Sequence, residues 1–511
     1  MKFLLLAVYF AVLLFIGFRC RRGANSVDGF VLGGRSVGAW LTAFAYGTSY
    51  FSAVVFVGYA GQFGWRYGIA ATWAGIGNAL IGSLLAWTVL GRRTRLLTQH
   101  LDASTMPEFF GRRFDSRALK IVASVIIFVF LVPYTASLYN GLSRLFGMAF
   151  SIDYSVCIVL MSVLTAVYVI AGGYLATAIN DFIQGVIMLF GLCAVIAAVI
   201  MSKGGLMAAL DGLSRVTDPA VTTTPGVFNS FLGPDPLGLL FVVILTSLGT
   251  WGLPQMVQKF YAIKSEESIH TGTIVSTVFA VVVAGGCYFL GGFGRLFNVD
   301  VAAEGFDAII PEMLLKLSPA LIGITLVLVL SASMSTLSSL VLTSSSTLTL
   351  DFIAPTFTKT KNDKRDLAVI RVFVAVFIVL SAVIAVVQYK LNVTFIAQLM
   401  GLSWGALAGS FLAPFLLSLY WKRVTKPAVA VSFVCGSGIM LANMFFKDVF
   451  PAFLQSPINC GAFAMLLGLV VVPIVSILTK KPDDAFVSDV FSCYEKTVTV
   501  PVTESLHKHG N

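Results

Sequence analysis

The sequence predicts an all-α integral membrane protein of about 13 transmembrane helices, with two inverted five-helix repeats at its centre, and three observations predict it. The 511 residues are 58% hydrophobic and only 11% charged, with a mean hydropathy of +0.91, beyond the ~45–50% apolar content of a soluble domain. Thirteen apolar stretches approach the ~20 residues that a helix needs to cross a bilayer. Two of them, at corresponding places in the two halves of the chain, are interrupted at mid-depth by residues that weaken helices.

The first stretch, 3–18, resembles a signal peptide. Most of its positive residues, Arg19, Arg21 and Arg22, follow the apolar core and only Lys2 precedes it, so it is expected to be an uncleaved span. With the loop after it, this helix forms a leading segment, 1–36. Five stretches (37–59, 70–90, 121–150, 156–171 and 182–201) make a first repeat, 37–202, and an external loop covers 203–236. Five more (237–258, 273–293, 321–350, 368–387 and 395–421) make a second repeat, 237–425. Two further helices, 428–446 and 462–478, occupy 426–479, and a tail of 480–511 remains. An odd number of spans per repeat inverts the second repeat relative to the first.

The interruptions open the two repeats: GTSYFS at 47–52 and GTWGLP at 249–254. Paired Gly/Pro breaks of this kind point to inverted-repeat transporters, in which unwound backbone carbonyls coordinate coupling ions near the midplane. The ninth stretch supplies what such a break lacks. It holds SASMSTLSS at 331–339 and SSST at 344–347, with no charge until Asp351. Ala332, Ser335 and Thr336 stand at i, i+3 and i+4 and so share one helix face, a face of oxygens suited to a hard cation such as sodium. The hydroxyls of 344–347 are expected to bond their own i−4 carbonyls.

An external N-terminus and a cytoplasmic C-terminus put 25 of the 34 Lys and Arg on the cytoplasmic side, as the positive-inside bias requires. The chain is therefore expected to be multi-pass in the cell (inner) membrane. Its net charge of +10 reflects topology and anionic lipid, not nucleic acid. Seven scattered cysteines contain no CxxC pair and indicate neither disulfides nor a metal framework. His100, His270, His507 and His509 fall in loops or the tail, no catalytic constellation lies in the bilayer, and no enzyme is expected. Nothing sets an oligomeric state, and a monomer is compatible with the sequence.

The segments DGFVLGGRS (28–36), TMPEFFGRRF (105–114), GGYLATAINDFIQGVIM (172–188), GLPQMVQKFYAIKS (252–265), SASMST (331–336) and LLSLYWKRVT (416–425) together resemble the sodium:solute symporter family. The likeness runs in order from the second span through the twelfth. It is closest to the branch of pantothenate and proline symporters, with NDFIQGVIM and GTIVSTVF (272–279) most like the pantothenate members. The resemblance implies a LeuT-type fold that co-transports sodium with a small organic solute by alternating access. It implies sodium ligands at the carbonyls of Thr48 and Phe51, the carbonyl of Ala332, and the side-chain oxygens of Ser335 and Thr336. Asp181 matches an acidic residue implied to help sodium leave; read from the residues alone it serves equally as a helix N-cap beside Asn180.

Departures from the family narrow the solute. Proline members carry an Asp where this chain has Tyr50. Sugar members carry polar residues where Ala53, Val54 and Val55 stand, and sialic-acid members an embedded Arg where Pro133, Tyr134, Tyr139 and Asn140 stand. The expected solute is thus a small carboxylate or amino-acid-like compound, pantothenate-like or proline-like. Its alternatives are a proton-coupled or uncoupled carrier of the same fold, or a sodium-coupled sugar or sialic acid symporter. Candidate solute contacts are Tyr50, Ser52, Tyr139, Asn140, Thr250, Trp251, Gln255, Gln398 and Trp404. Asn140 and Gln398 carry most weight, because an unpaired amide in hydrocarbon is costly. Lys259 is expected to snorkel to the membrane surface. Besides sodium and the solute, the only partner expected is the lipid bilayer.

Overall fold

The computed structural model describes residues 2–150, 153–357, 362–391 and 396–495; the last part of the expected tail, with Lys496 and Lys508, lies outside it. Each of the thirteen apolar stretches is helical over most of its length. Among the described residues, nine helices are long and apolar enough to cross a membrane, or ten when Pro236–Gly252 and Pro254–Ala262, bent by 45° at Leu253, count as one. Two of the nine, Val54–His100 and Tyr154–Ser202, have 47 and 49 residues. At ~1.5 Å per residue each is about 70 Å long, twice a bilayer's hydrocarbon thickness. Each is broken at a glycine in the left-handed region, Gly68 (φ +64°) and Gly173 (φ +56°), so each contains more than one crossing. At Gly68 the tight approach also requires glycine, since a Cβ would stand 2.0 Å from the Phe228 carbonyl oxygen.

Burial sorts the helices into layers. Ile396–Tyr420 and the helix containing 331–347 are mostly enclosed, whereas Asp363–Lys390 and Tyr154–Ser202 expose most of their apolar surface. Val156, Val159, Leu160, Val163 and Val167 are exposed at i, i+3, i+4, i+7 and i+11, an apolar stripe turned outward as a lipid-facing helix requires. The hydroxyl-rich helix Pro319–Thr347 packs against Ala39–Tyr50, Arg117–Phe150 and Tyr154–Ser202. Lys2–Cys20 lies against Tyr154–Ser202, and Ile396–Tyr420 against Lys426–Phe445 and Pro457–Leu478.

The two expected breaks are present and narrower than the sequence suggested. In the first, residues 47–50 remain helical and the chain leaves helical geometry only at Phe51 (φ −95°, ψ 96°) and Ser52, before a π-helix over Val54–Tyr59. Gly47 serves close packing instead of unwinding, since a Cβ there would meet the Phe279 ring at 2.5 Å. In the second, a 3-10 turn over Gly249–Gly252 ends at extended Leu253, and Pro254 opens the next helix, where its fixed φ and missing N–H cost nothing.

Candidate functional site

The end of Ala39–Tyr50 directs backbone oxygen at the enclosed helix. The Ser335 and Thr336 hydroxyls both donate to the Thr48 carbonyl, at 3.2 and 3.1 Å, and both reach the Ala332 carbonyl at 3.2 Å. Four neutral oxygens from two helices thus converge, all of them from residues at most 3% exposed. The Thr48 hydroxyl is turned away onto Phe44 of its own helix at 2.9 Å, so only its carbonyl faces the cluster. Oxygens ~2.3–2.6 Å from a hard cation stand about 3.3–3.7 Å apart at right angles, so the cluster need open by only about 0.2–0.5 Å to admit one. Ser335 has an alternative acceptor for its proton in the Ser331 carbonyl at 2.9 Å, which frees its lone pairs for an ion. Phe51 lies where the helical ladder stops, placing its carbonyl at the same break. The donors are all neutral oxygens, the kind a hard monovalent cation takes; among the described residues no group of three or more His, Cys, Asp or Glu is placed to hold a metal ion.

One turn further along the same helix lies a charged level that the sequence reading missed. The Ser49 and Ser339 hydroxyls are 2.8 Å apart, and the Lys259 ammonium donates to Ser339 at 3.0 Å. Lys259 does not snorkel: it is 2% exposed, with its ammonium 5.1 Å from the centre of the Tyr174 ring. Asp181 lies within its electrostatic reach, and among the described residues it has no direct ion pair and both its buried carboxylate oxygens lack a hydrogen-bond partner. Nor is Asp181 an N-cap, since it sits inside Tyr154–Ser202, eight residues beyond the break at Gly173. The signal for Ser338 and Ser339 was present, because i+3 and i+4 from Ser335 fall on them.

The expected back-bonding of 344–347 holds in part. Ser346 donates to Leu342 at 2.7 Å and Thr347 to Ser344 at 3.0 Å, while the buried Ser344 and Ser345 hydroxyls have no partner.

The solute candidates divide. Tyr50 stacks on Trp404 with ring centres 5.7 Å apart, its hydroxyl donating to the Thr246 carbonyl, and Tyr134 meets Trp404 edge-on at 6.1 Å. The Ser52 and Tyr134 hydroxyls and the Trp404 indole N–H lie near one another, yet none of the three completes a hydrogen bond. Gly249 abuts the Trp404 ring, where a Cβ would stand 3.3 Å away, so both breaks border this aromatic enclosure. Tyr139 lies beside Ser162, its hydroxyl buried without a bond, and the Asn140 oxygen is likewise unpartnered. Both amide atoms of Gln255 are buried without partners. Thr250 and Trp251 already bond to the carbonyls of Gly82 and Ile81 at 3.2 and 3.0 Å. Gln398 is half-buried in the first turn of its helix, about 9 Å along the axis from Trp404. Buried polar atoms without partners cost about 1–3 kcal/mol each, and a polar solute offers what these atoms lack.

The sodium:solute symporter family model matches residues 30–436. The chain belongs to the sodium:solute symporter family. It is 30% identical over 499 residues to the sodium/proline symporter of Staphylococcus aureus, covering 94% of this chain and 93% of that one. It is 28% identical over 495 residues to the osmoregulated proline transporter OpuE of Bacillus subtilis, covering 94% and 95%. Its fold resembles a substrate-bound, outward-open Na+-coupled sialic acid symporter at a TM-score of 0.72 and 16% identity, covering 94% of this chain and 98% of that one. Inward-facing Mhp1 follows at 0.50 and 14%, covering 89% and 94%. The symporter therefore has the LeuT-type fold, spans the membrane several times, and couples sodium to the transport of a small organic solute.

Proposed function

We propose that this symporter binds sodium at Thr48, Phe51, Ala332, Ser335 and Thr336, and imports a small carboxylate or amino-acid-like solute held near Tyr50, Ser52, Tyr134 and Trp404. The reading rests on the four converging oxygens, which join a broken helix to an enclosed one through contacts that a cation strengthens. Sodium bridging the two elements favours the outward-open state, and release of both ligands follows when the repeats rock. Asp181, with two unpartnered oxygens beyond the cluster, is the step by which sodium leaves. The repeats are taken as 37–202 and 237–425, with the N-terminus external and the C-terminal tail cytoplasmic.

The energetics are sufficient. One sodium crossing ~100 mV gains ~2.3 kcal/mol and a tenfold gradient adds about 1.4, enough to concentrate a neutral or zwitterionic solute roughly 500-fold. Relatives named as proline transporters favour an amino-acid-like zwitterion, whereas Tyr50, stacked on Trp404, makes the enclosure more aromatic than the Asp of the proline members. Thermal unfolding of the purified protein against proline, pantothenate, other small carboxylates and sugars, with and without sodium, tests the reading. A stabilisation that requires both sodium and one carboxylate or amino acid is expected; stabilisation by a sugar alone, or independent of sodium, overturns it.

A further inference from the structure

A polar cavity lies away from the sodium cluster, on the face where the tail helix Asp484–Phe491 docks. It encloses about 440 Å³ and is lined by Arg113, Lys426, Lys480 and Lys481 against only Asp115 and Asp483. The acids do little to neutralise it. The Asp483 side chain caps the tail helix at the Ala485 N–H, 3.2 Å away, and Lys426 donates to the backbone carbonyl of Asp115 at 2.9 Å, not to its carboxylate. Lys481 alone has a carboxylate partner, Asp484 at 2.6 Å.

Arg113 makes this more than a basic surface. It is 1% exposed, its guanidinium held between the rings of Phe114 and Phe491 at 4.9 and 5.0 Å. Its Nε reaches the Ser418 carbonyl only at 3.4 Å, and its buried Nη2 has no hydrogen-bond partner among the described residues. No carboxylate pairs with it among the described residues, and burial lowers its pKa to about 10. A buried guanidinium without a counter-charge is costly, and its fork of donors matches the oxygens of a phosphate. Lys426 opens one membrane helix and Lys480 follows another, which places the cavity at headgroup depth, where basic pockets between helices hold anionic lipid.

We propose that this cavity is a binding site for a phosphate-bearing anion, which completes the coordination of Arg113 and fastens the tail helix to the ends of the membrane helices. The phosphate belongs either to a lipid headgroup or to a free anion, and one experiment separates them. Purified protein at constant sodium and ionic strength is thermally unfolded with increasing inorganic phosphate in one series and short-chain phosphatidylglycerol in another, short-chain phosphatidylcholine being the control of zero net charge. A saturable rise in Tm is expected, with its half-saturating concentration raised at least tenfold in Lys480→Gln/Lys481→Gln, whose side chains are exposed. A rise with phosphate itself marks a free anion as sufficient; a rise confined to phosphatidylglycerol marks the headgroup. Arg113→Gln should abolish the rise, and if it does not fold, the lysine pair decides. The proposal is overturned by no saturable rise, by an equal rise with phosphatidylcholine, or by unchanged half-saturation in the lysine variant. In that last case binding lies elsewhere, as at the hollow of Arg21, Arg22 and Arg371.

Discussion

The helix Pro319–Thr347 presents two polar levels one turn apart, and they are built on opposite principles. At the first, the oxygens of Ala332, Ser335 and Thr336 meet the Thr48 carbonyl, and none of them carries a charge. At the second, Ser339 meets Lys259, with Asp181 within electrostatic reach. Neutral oxygens attract a monovalent cation without trapping it, which suits an ion that must leave in every cycle. Fixed charges in a dry interior must instead compensate each other permanently. On the proposed function, the first level would hold the travelling ion, while the second places a lysine and a carboxylate beyond it.

The largest effect that tests this division is structural. Asp181→Ala removes the carboxylate within electrostatic reach of the buried Lys259 ammonium, and a loss of stability smaller than the about 3–5 kcal/mol of a broken direct pair is expected. Asp181→Ala/Lys259→Met should recover most of it, measured as unfolding in detergent without sodium. If the single variant is as stable as the parent, the second level is not a compensated pair.

Next in size is the ion itself. Ser335→Ala or Thr336→Ala should raise the sodium concentration for half-maximal uptake at least tenfold, equivalent to about 1.4 kcal/mol. Ser339→Ala, one turn away, should change it twofold or less. Equal effects at the two levels would erase the distinction between them.

How far each level was legible in the sequence follows from the same contrast. The neutral level could be read because hydroxyls at helical spacing in an apolar stretch, beside a run of Gly, Thr and Ser in another, are unusual in themselves. The charged level was misread because snorkelling is the ordinary behaviour of a lysine near a helix end, and only tertiary packing shows that Lys259 turns inward onto Ser339. Asp181 was half-read for a related reason: it stands just before the apolar stretch 182–201, an N-cap position on hydropathy alone, but the backbone breaks at Gly173 and helix resumes well before Asp181. Thr250 and Trp251 were singled out as polar residues at a break, yet their donors bond to carbonyls of the third span, a pairing that no spacing rule reveals.

A smaller effect is expected in the aromatic enclosure. Trp404→Phe removes a buried N–H that has no partner among the described residues, and this gain offsets part of the cavity left beside Tyr50 and Tyr134, so stability without solute should fall by no more than about 1–2 kcal/mol. Sodium-dependent solute binding should weaken about fivefold, near 1 kcal/mol, while sodium affinity without solute is unchanged. A larger fall in stability, in parallel with affinity, would instead make the indole a packing element.

The smallest effect belongs to the loop 203–236, where the charged pair is the solvent-facing counterpart of the interior one. Arg295 donates to Asp218 at 2.9 Å and to the Trp65 carbonyl at 2.6 Å, between the rings of Trp65 and Phe228. It ties the loop to the helix that breaks at Gly68. The hydrogen bond from Arg295 holds the Asp218 carboxyl below its ordinary range. A carboxylate with a depressed folded-state pKa stabilises fully above its unfolded value, near 3.9, and loses that contribution as pH falls through the folded value. The transition therefore lies below about pH 4. Because Asp218 remains open to solvent, the contribution is under about 1 kcal/mol. Asp218→Asn should lower Tm slightly at pH 6 and flatten its fall between pH 5 and 3.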